Sequence, residues 1–145
     1  MLLSHRSRSE KELQERLEKK GFSGQSIVVT LKYLKQSGYL DDQALALDLK
    51  RQAFNNKLLG HNRARIFLLD RGLPDDIVNE TMTYDEETEA QKIQALMNKK
   101  MKTMGVCPDN KERKKLWDFL VRKGYSYNTI RNALLKLTQV EEEEE

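Results

Sequence analysis

The sequence contains few of the side chains that catalyse reactions or bind metals. Its single cysteine, Cys107, cannot form an internal disulfide, and its two histidines, His5 and His61, do not have the spacing of metal ligands. It shows no Ser-His-Asp or Cys-His arrangement, and no glycine-rich loop is followed by Lys-Ser/Thr. We therefore predict a protein that is not an enzyme and that uses no cofactor and no metal.

Basic side chains are the stronger candidates for function, and they are concentrated towards the C-terminus. Residues 110–140 contain 8 Lys/Arg against 2 Asp/Glu, a net charge of +6, and the five glutamates that follow bring the whole chain to +3. This asymmetry favours a negatively charged partner, either nucleic acid or an acidic protein groove. The alternative is a solvated helical face with ordinary lysines.

Helical spacing places these polar residues on two faces. Lys111, Lys115 and Arg122 lie at i, i+4 and i+11, with Lys114 beside them. On the next helix, polar residues share a face opposite Ile130, and we predict that the two faces form one continuous basic strip for DNA phosphates or acidic side chains. The full set of candidate partner-binding or DNA-binding residues is Lys111, Lys114, Lys115, Arg122, Lys123, Asn128, Arg131, Asn132, Lys136, Arg63 and Arg65.

Two members of this set, Arg63 and Arg65, come from a different part of the chain. They lie at a predicted helix start after Gly60, where positive charge is mildly unfavourable to the helix dipole. This position indicates a use beyond the stability of their own helix.

Aromatic residues accompany the basic segment. Phe119 is predicted to lie in the core, whereas Trp117 fits either the core or an exposed anchor. Tyr125 and Tyr127 flank a predicted turn. We expect one of these tyrosines to pack and the other to remain in solvent.

Three glycines, Gly21, Gly72 and Gly124, recur at separations of 51 and 52 residues within similar surroundings. Each has a leucine four positions before it, a base one position before it and an apolar or aromatic residue after it. A leucine stripe, a basic last turn and a glycine predict a helix that ends with a left-handed residue. The three copies contain, in order, Leu17, Lys20 and Phe22; Leu68, Arg71 and Leu73; and Leu120, Lys123 and Tyr125.

Start signals define the other helices. Capping boxes are predicted at 9–12 and 109–112, and Asp41 and Asp85 are predicted to cap a third helix in the first two copies. No stretch alternates apolar and polar residues for long enough to predict a sheet.

The predicted fold is all-α, with three tandem three-helix repeats of which the last lacks its third helix, in an elongated and curved arrangement. No segment resembles a membrane span or a signal peptide, so we expect a cytoplasmic protein. The predicted parts are a basic arm at 1–8, repeats at 9–57, 58–104 and 105–140, and a solvated acidic tail at 141–145.

Four stretches resemble successive signatures of one family, the RecX regulatory proteins. They are RSEKELQERLEKKGF, LKYLKQSGYLDD, LLGHNRARIFLLDRGLPDDIV and LWDFLVRKGYSYNTIRNAL, and the resemblance covers almost the whole chain, Arg8 to Leu137, in the right order. The resemblance implies three tandem three-helix repeats and a modulator, usually an inhibitor, of the RecA recombinase. It implies a protein that lies along the groove of the RecA filament on DNA and affects strand exchange, ATP turnover and stimulated repressor cleavage. We also expect a monomer that binds single- and double-stranded DNA more weakly and without sequence preference.

Two other functions fit the same residues. A direct DNA-binding helix-turn-helix protein, acting without RecA, would use Asn128, Arg131 and Asn132 on an exposed recognition helix. A structural scaffold would need none of the basic side chains for partner binding.

Overall fold

The structure is a computed structural model that describes residues 7–104 and 109–144. Within these ranges the chain forms eight α-helices and no strand, which confirms the all-α class. The helices are α1 (Glu10–Lys19), α2 (Gly24–Gln36), α3 (Asp42–Arg51), α4 (His61–Asp70), α5 (Asp75–Thr81), α6 (Glu86–Met104), α7 (Asn110–Arg122) and α8 (Tyr127–Glu144), with a π-helical turn at Gln52–Asn56.

Some predictions concern residues outside the described ranges. These are His5, Cys107 and most of the basic arm at 1–8. At the other end, α8 continues to Glu144, so the backbone is helical through most of the segment expected to be a separate acidic tail.

The predicted helix starts are present. Ser9 and Glu12 form a reciprocal capping box at α1, and Asp109 and Glu112 form another at α7. Asp41 caps α3 by accepting the N–H of Ala44 at 3.1 Å. These side chains satisfy N–H groups that a helix start leaves without intrahelical partners, which fixes where each helix begins.

The repeated glycines end their helices in the predicted left-handed conformation. Gly21, Gly72 and Gly124 have φ of 88°, 80° and 95°. At the end of α7 the N–H of Gly124 donates to Val121 at 3.0 Å, and the N–H of Tyr125 donates to Leu120 at 3.2 Å. This pair of bonds is a Schellman motif. The leucine four residues before the glycine and the residue after it, here Leu120 and Tyr125, lie in the same apolar core, as is common for this motif.

The residue after each glycine differs in burial between the three copies. Leu73 and Tyr125 are buried, but Phe22 is 54% exposed. The reason lies in the neighbours: Tyr125 enters a core that α6 helps to form, whereas the principal helical neighbour of α1 is α2.

The chain divides into two compact units. Unit 1 contains the described residues up to Gln52 together with Arg65–Thr83, and unit 2 contains Ala53–Ala64 together with the described residues from Tyr84 onward. One core of unit 1 packs α1 against α2 through Leu13, Ile27, Leu31 and Leu40. The core of unit 2 joins α6, α7 and α8 through Ile93, Leu96, Met97, Leu120, Tyr125, Ile130 and Ala133.

These cores group the helices differently from the predicted boundaries. Helix α3 packs against α5, and α6 packs against α7 and α8, so the third helix of each predicted copy packs with the pair that follows it. Helices α6–α8 thus form a three-helix group, although the predicted boundary at residue 104 separates α6 from α7. The glycine spacing locates the turn within each helix pair, but it does not indicate which pair the intervening helix joins.

Candidate basic surface on unit 2

Helix α7 presents the predicted bases to solvent. Its buried stripe, Leu116 and Leu120, faces the core of unit 2, which leaves the opposite side exposed. Four predicted residues lie on that exposed side: Lys111, Lys114, Lys115 and Arg122. The exposed face also contains Asp118, three residues after Lys115 and four before Arg122, and this carboxylate reduces the local positive charge.

Helix α8 presents the second predicted face. It begins after Ser126, whose hydroxyl accepts the N–H of Thr129 at 3.3 Å, and it buries Ile130 and Ala133. The predicted residues of this helix are all exposed: Asn128, Arg131, Asn132 and Lys136. Leu135 lies among them and is 54% exposed, so an apolar side chain that the sequence analysis did not include interrupts this polar face.

The bases of α7 share a groove with α6. Lys115 and Arg122 line a recess together with Lys100, Asp118 and Phe119, and no α8 residue lines it. An adjoining recess, which shares Lys100 and Phe119, is lined by Lys57, Lys99 and Lys123. We call these two recesses the α6–α7 groove; it brings Lys115 and Arg122 together with lysines of α6 rather than with the polar face of α8.

Phe119 forms part of the wall of this groove and is only half-buried, so the prediction of a core residue holds in part. The ammonium group of Lys100 lies 4.4 Å from its ring centroid, and that of Lys123 lies 5.8 Å away. Both distances lie within the range of cation–π attraction. Phe119 therefore helps to position two cations.

Lys57, Lys99 and Lys100 are basic groove residues that the sequence analysis missed. Lys99 and Lys100 occur near the C-terminal end of α6, where lysines complement the helix dipole. Because the dipole already accounts for them, the sequence offered no reason to include them among the binding candidates. Lys57 lies in the segment before α4. The ammonium group of Lys123 donates to the carbonyl oxygen of Lys57 at 2.9 Å, and this bond brings the two lysines together.

Arg63 has a structural partner within unit 2. Its Nε donates to the carbonyl oxygen of Arg122 at the end of α7, at 3.2 Å. A cationic group at a helix C-terminus is favourable because the last carbonyl oxygens carry partial negative charge. The unfavourable position of Arg63 on its own helix is thus explained by this bond to α7.

Arg65 is likewise engaged, in unit 1, where its Nη1 donates to the Oδ1 of Asn79 at 2.6 Å. Its partner lies on α5, so the bond joins α5 to the part of α4 that belongs to unit 1. Both arginines thus make intramolecular hydrogen bonds, and their role in partner binding stays a prediction.

The start of α4 meets the end of α7 at two glycines. The N–H of Gly60 donates to the carbonyl oxygen of Lys123 at 2.7 Å, and the N–H of Asn62 donates to that of Gly124 at 3.2 Å. The N–H of His61 donates to the buried carboxylate of Glu89 at 3.2 Å. The N–H groups at the start of α4 thus donate to oxygens at the end of α7 and on α6, and this junction fixes the end of α7 from which Arg122 extends.

The aromatic residues around the turn divide as expected. Tyr125 is 2% exposed and Tyr127 is 61% exposed. Trp117 is half-buried and stacks on Tyr127 with ring centroids 5.8 Å apart. Its location is therefore intermediate between the two predicted alternatives, a core residue and an exposed anchor.

Replacing Tyr125 with phenylalanine tests its buried hydroxyl. This hydroxyl donates to the carbonyl oxygen of Leu58 at 2.8 Å, and burial together with the nearby Glu89 raises the pKa of Tyr125 above its ordinary value of 10.0. The stability linked to this proton is fully present below pH 10 and is lost as the pH rises above 10. We expect Tyr125→Phe to lower the free energy of unfolding by about 1 kcal/mol at pH 8, through the lost hydrogen bond.

Chemical denaturation at pH 8 and pH 11 checks this expectation. Between these pH values the wild type is expected to lose about 1 kcal/mol more than Tyr125→Phe, because only the wild type has this buried proton to release. An equal loss in both proteins would mean that the hydroxyl is accessible to solvent.

Among the described residues, no group of three or more His, Cys, Asp or Glu side chains is arranged to hold a metal ion. Within the described part of the chain, no helix is both long and apolar enough to cross a membrane.

Comparisons with known proteins agree with the arrangement of helices. Residues 1–34 match the model of the first three-helix domain of RecX, and residues 87–134 match that of the third. The second match begins within α6 and ends within α8, so it extends over the three helices that form the core of unit 2.

Sequence similarity to proteins of known family extends over most of the chain. It is 36% identical to the regulatory protein RecX of Chlorobaculum tepidum over 133 residues, which cover 92% of this chain and 81% of that protein. It is 32% identical to the regulatory protein RecX of Chlorobium phaeobacteroides, covering 92% and 86% of the two chains. The match to a regulatory protein RecX of Clostridium botulinum is 29% identical and covers 88% of this chain but 60% of that protein.

The fold is also found in a solved structure. The crystal structure of RecX from Lactobacillus salivarius superposes with a TM-score of 0.82 at 21% sequence identity, covering 95% of this chain and 90% of that one. On these similarities in sequence and fold, the chain belongs to the RecX family of regulatory proteins.

Proposed function

We propose that this chain is a non-enzymatic regulator, mainly an inhibitor, of the RecA recombinase. In this proposal it binds in the groove of the RecA–DNA filament and modulates strand exchange, ATP hydrolysis and the stimulation of repressor cleavage. Membership of the RecX family supports a regulatory role. The observation that indicates which surface binds the partner is the exposed basic face of α7, which contains Lys111, Lys114, Lys115 and Arg122.

This face suits a filament partner for electrostatic reasons. The four cations are all exposed, and none of the described ion pairs involves them, so binding does not first require the loss of an internal pair. A RecA–DNA filament offers phosphates, and acidic side chains of the recombinase would be attracted in the same way. The polar face of α8 supplies amide and guanidinium donors, and exposed Leu135 adds an apolar contact suited to a protein surface.

The test is to measure the ATPase and strand-exchange activities of RecA on single-stranded DNA with and without this protein. We expect both activities to fall as the protein approaches a stoichiometric ratio to RecA. No effect at that ratio would refute the proposal.

A direct DNA-binding function is the second candidate because α7 and α8 form a helix-turn-helix with a short turn at 123–126. Asn128, Arg131 and Asn132 are exposed on the second helix, where a recognition helix presents its base contacts. A gel-shift comparison of duplexes without RecA separates the two functions. Binding to one duplex sequence much more tightly than to scrambled DNA would favour this second function.

A further inference from the structure

The α6–α7 groove of unit 2 is lined in large part by basic side chains. Its lining residues include six bases, Lys57, Lys99, Lys100, Lys115, Arg122 and Lys123, against one acid, Asp118. We propose that this groove binds the phosphate backbone of a single-stranded nucleic acid. The inference rests on the proposed function and assigns a ligand to one part of the basic surface.

Mutual repulsion among the bases favours a polyanion as the ligand. Lys115 and Arg122 lie on α7 and line one of the two recesses. Lys99 and Lys100 lie on α6 and line the adjoining recess, and Lys100 lines both. A bound phosphate chain reduces this repulsion and releases its own condensed counterions, which is the principal source of sequence-independent affinity for nucleic acids.

Two of the cations are held in place before any ligand binds. Lys100 and Lys123 both lie near the ring of Phe119, and Lys123 also donates to Lys57. An unrestrained lysine side chain loses conformational entropy when it binds a phosphate, and these three contacts reduce that loss. Phe119 is therefore assigned as a positioning residue for the groove.

The arrangement of the cations favours a single strand over a duplex. Cations lie on both sides of the groove, on α6 and on α7, so a narrow chain lying between them contacts both sets. Lys115 and Arg122 are separated by about 10 Å along α7. If the single strand keeps the spacing of about 3.4 Å per nucleotide that one strand has in B-form DNA, this length accommodates roughly three phosphates, whereas the convex surface of a duplex meets chiefly the rims of a recess.

The first measurement is direct binding of the full chain to a fluorescent oligo(dT) of about twelve nucleotides, by anisotropy and without RecA. With about three phosphates neutralised, we expect the logarithm of the association constant to fall with the logarithm of salt concentration at a slope of about −2 between roughly 50 and 200 mM salt. A duplex of the same length is expected to bind more weakly.

Two variants test the assignment of residues. Lys100→Glu with Lys115→Glu reverses one cation on each side of the groove, and we expect binding to oligo(dT) to weaken about tenfold or more. Phe119→Leu keeps an apolar side chain but removes the ring, so we expect a loss of about two- to fivefold together with a largely preserved thermal midpoint. Lys11→Glu with Lys32→Glu is the matched control, because it makes the same charge change at exposed positions of unit 1.

Three results would overturn the inference. The first is that the Lys100→Glu/Lys115→Glu protein binds oligo(dT) as the wild type does, or no more weakly than the unit 1 control. The second is that the duplex binds at least as tightly as the single strand, with the same dependence on these residues. The third is that poly-L-glutamate displaces oligo(dT) at equal charge concentration, which would indicate an acidic protein segment as the ligand.

The assay of RecA separates this inference from the proposed function. If the wild type inhibits RecA but the groove variant binds oligo(dT) normally, the groove inference fails and the proposed function stands. If the groove variant loses oligo(dT) binding but the wild type has no effect on RecA, the proposed function fails and the groove assignment stands.

Discussion

Replacing Gly60 with alanine is expected to destabilise the protein by about 3 kcal/mol and to lower its thermal midpoint by about 10 °C. A Cβ atom at this position would lie 2.5 Å from the backbone carbonyl carbon of Gly124 and 2.5 Å from the backbone nitrogen of Tyr125. Backbone atoms of the Schellman turn cannot move aside independently, because hydrogen bonds fix them. The strain would therefore be relieved only by separating α4 from α7, with loss of the bonds from Gly60 and Asn62.

Gly24→Ala is the matched control. Gly24 is the first residue of α2, its φ is not positive, and a Cβ atom there would meet no atom within 4 Å. We expect this change to be neutral or to stabilise the protein by up to about 1 kcal/mol, because alanine has the higher helix propensity. Equal unfolding free energies for the two variants, measured by urea denaturation, would show that the close approach of Gly60 to Gly124 is absent in solution.

Local structure could be predicted from the sequence because short-range patterns determine it. A Ser or Asp three residues before a glutamate satisfies the N–H groups of a helix start, and a glycine satisfies the need for positive φ at its end. These rules located the starts at Ser9 and Asp109 and the ends at Gly21, Gly72 and Gly124. None of these features depends on which helices later pack together.

The grouping of helices could not be predicted in the same way. Helix α6 has apolar residues such as Ile93 and Met97 at helical spacing, and this spacing indicates a buried face without indicating its partner. The predicted repeat boundary at residue 104 separates α6 from α7, whereas the core of unit 2 joins both helices. Long-range packing decides the group to which a helix belongs.

The candidate surface shows the same division between local and distant information. The exposure of Lys111 and Lys115 followed from the buried stripe of their own helix. The proximity of Lys100 to Phe119 depends on how α6 packs against α7, and no spacing within either helix indicates it. Similarly, the position of Arg63 is explained by a carbonyl oxygen 59 residues further along the chain, to which its Nε donates.

Reversing two charges on α7, with Lys115→Glu and Arg122→Glu, is expected to raise the concentration needed to inhibit RecA about tenfold or more. A tenfold change corresponds to about 1.4 kcal/mol, which is modest for two cations that each change from attraction to repulsion towards phosphates or carboxylates. Both side chains are exposed, so the fold should be retained. The measurement is titration of the variant into RecA ATPase and strand-exchange reactions on single-stranded DNA, with circular dichroism to verify the helical content.

Salt and a matched variant distinguish a specific face from bulk charge. Inhibition by the wild type should weaken as salt increases, and the dependence on salt should be shallower for the α7 variant, because fewer ion contacts remain to be screened. Lys11→Glu with Lys32→Glu makes the same change in net charge on exposed positions of unit 1, and we expect it to inhibit nearly as well as the wild type. An equal loss in both variants would assign the effect to net charge alone. Full inhibition by the α7 variant would exclude Lys115 and Arg122 from the contact with the filament, and the polar face of α8 around Leu135 would then be the next surface to alter.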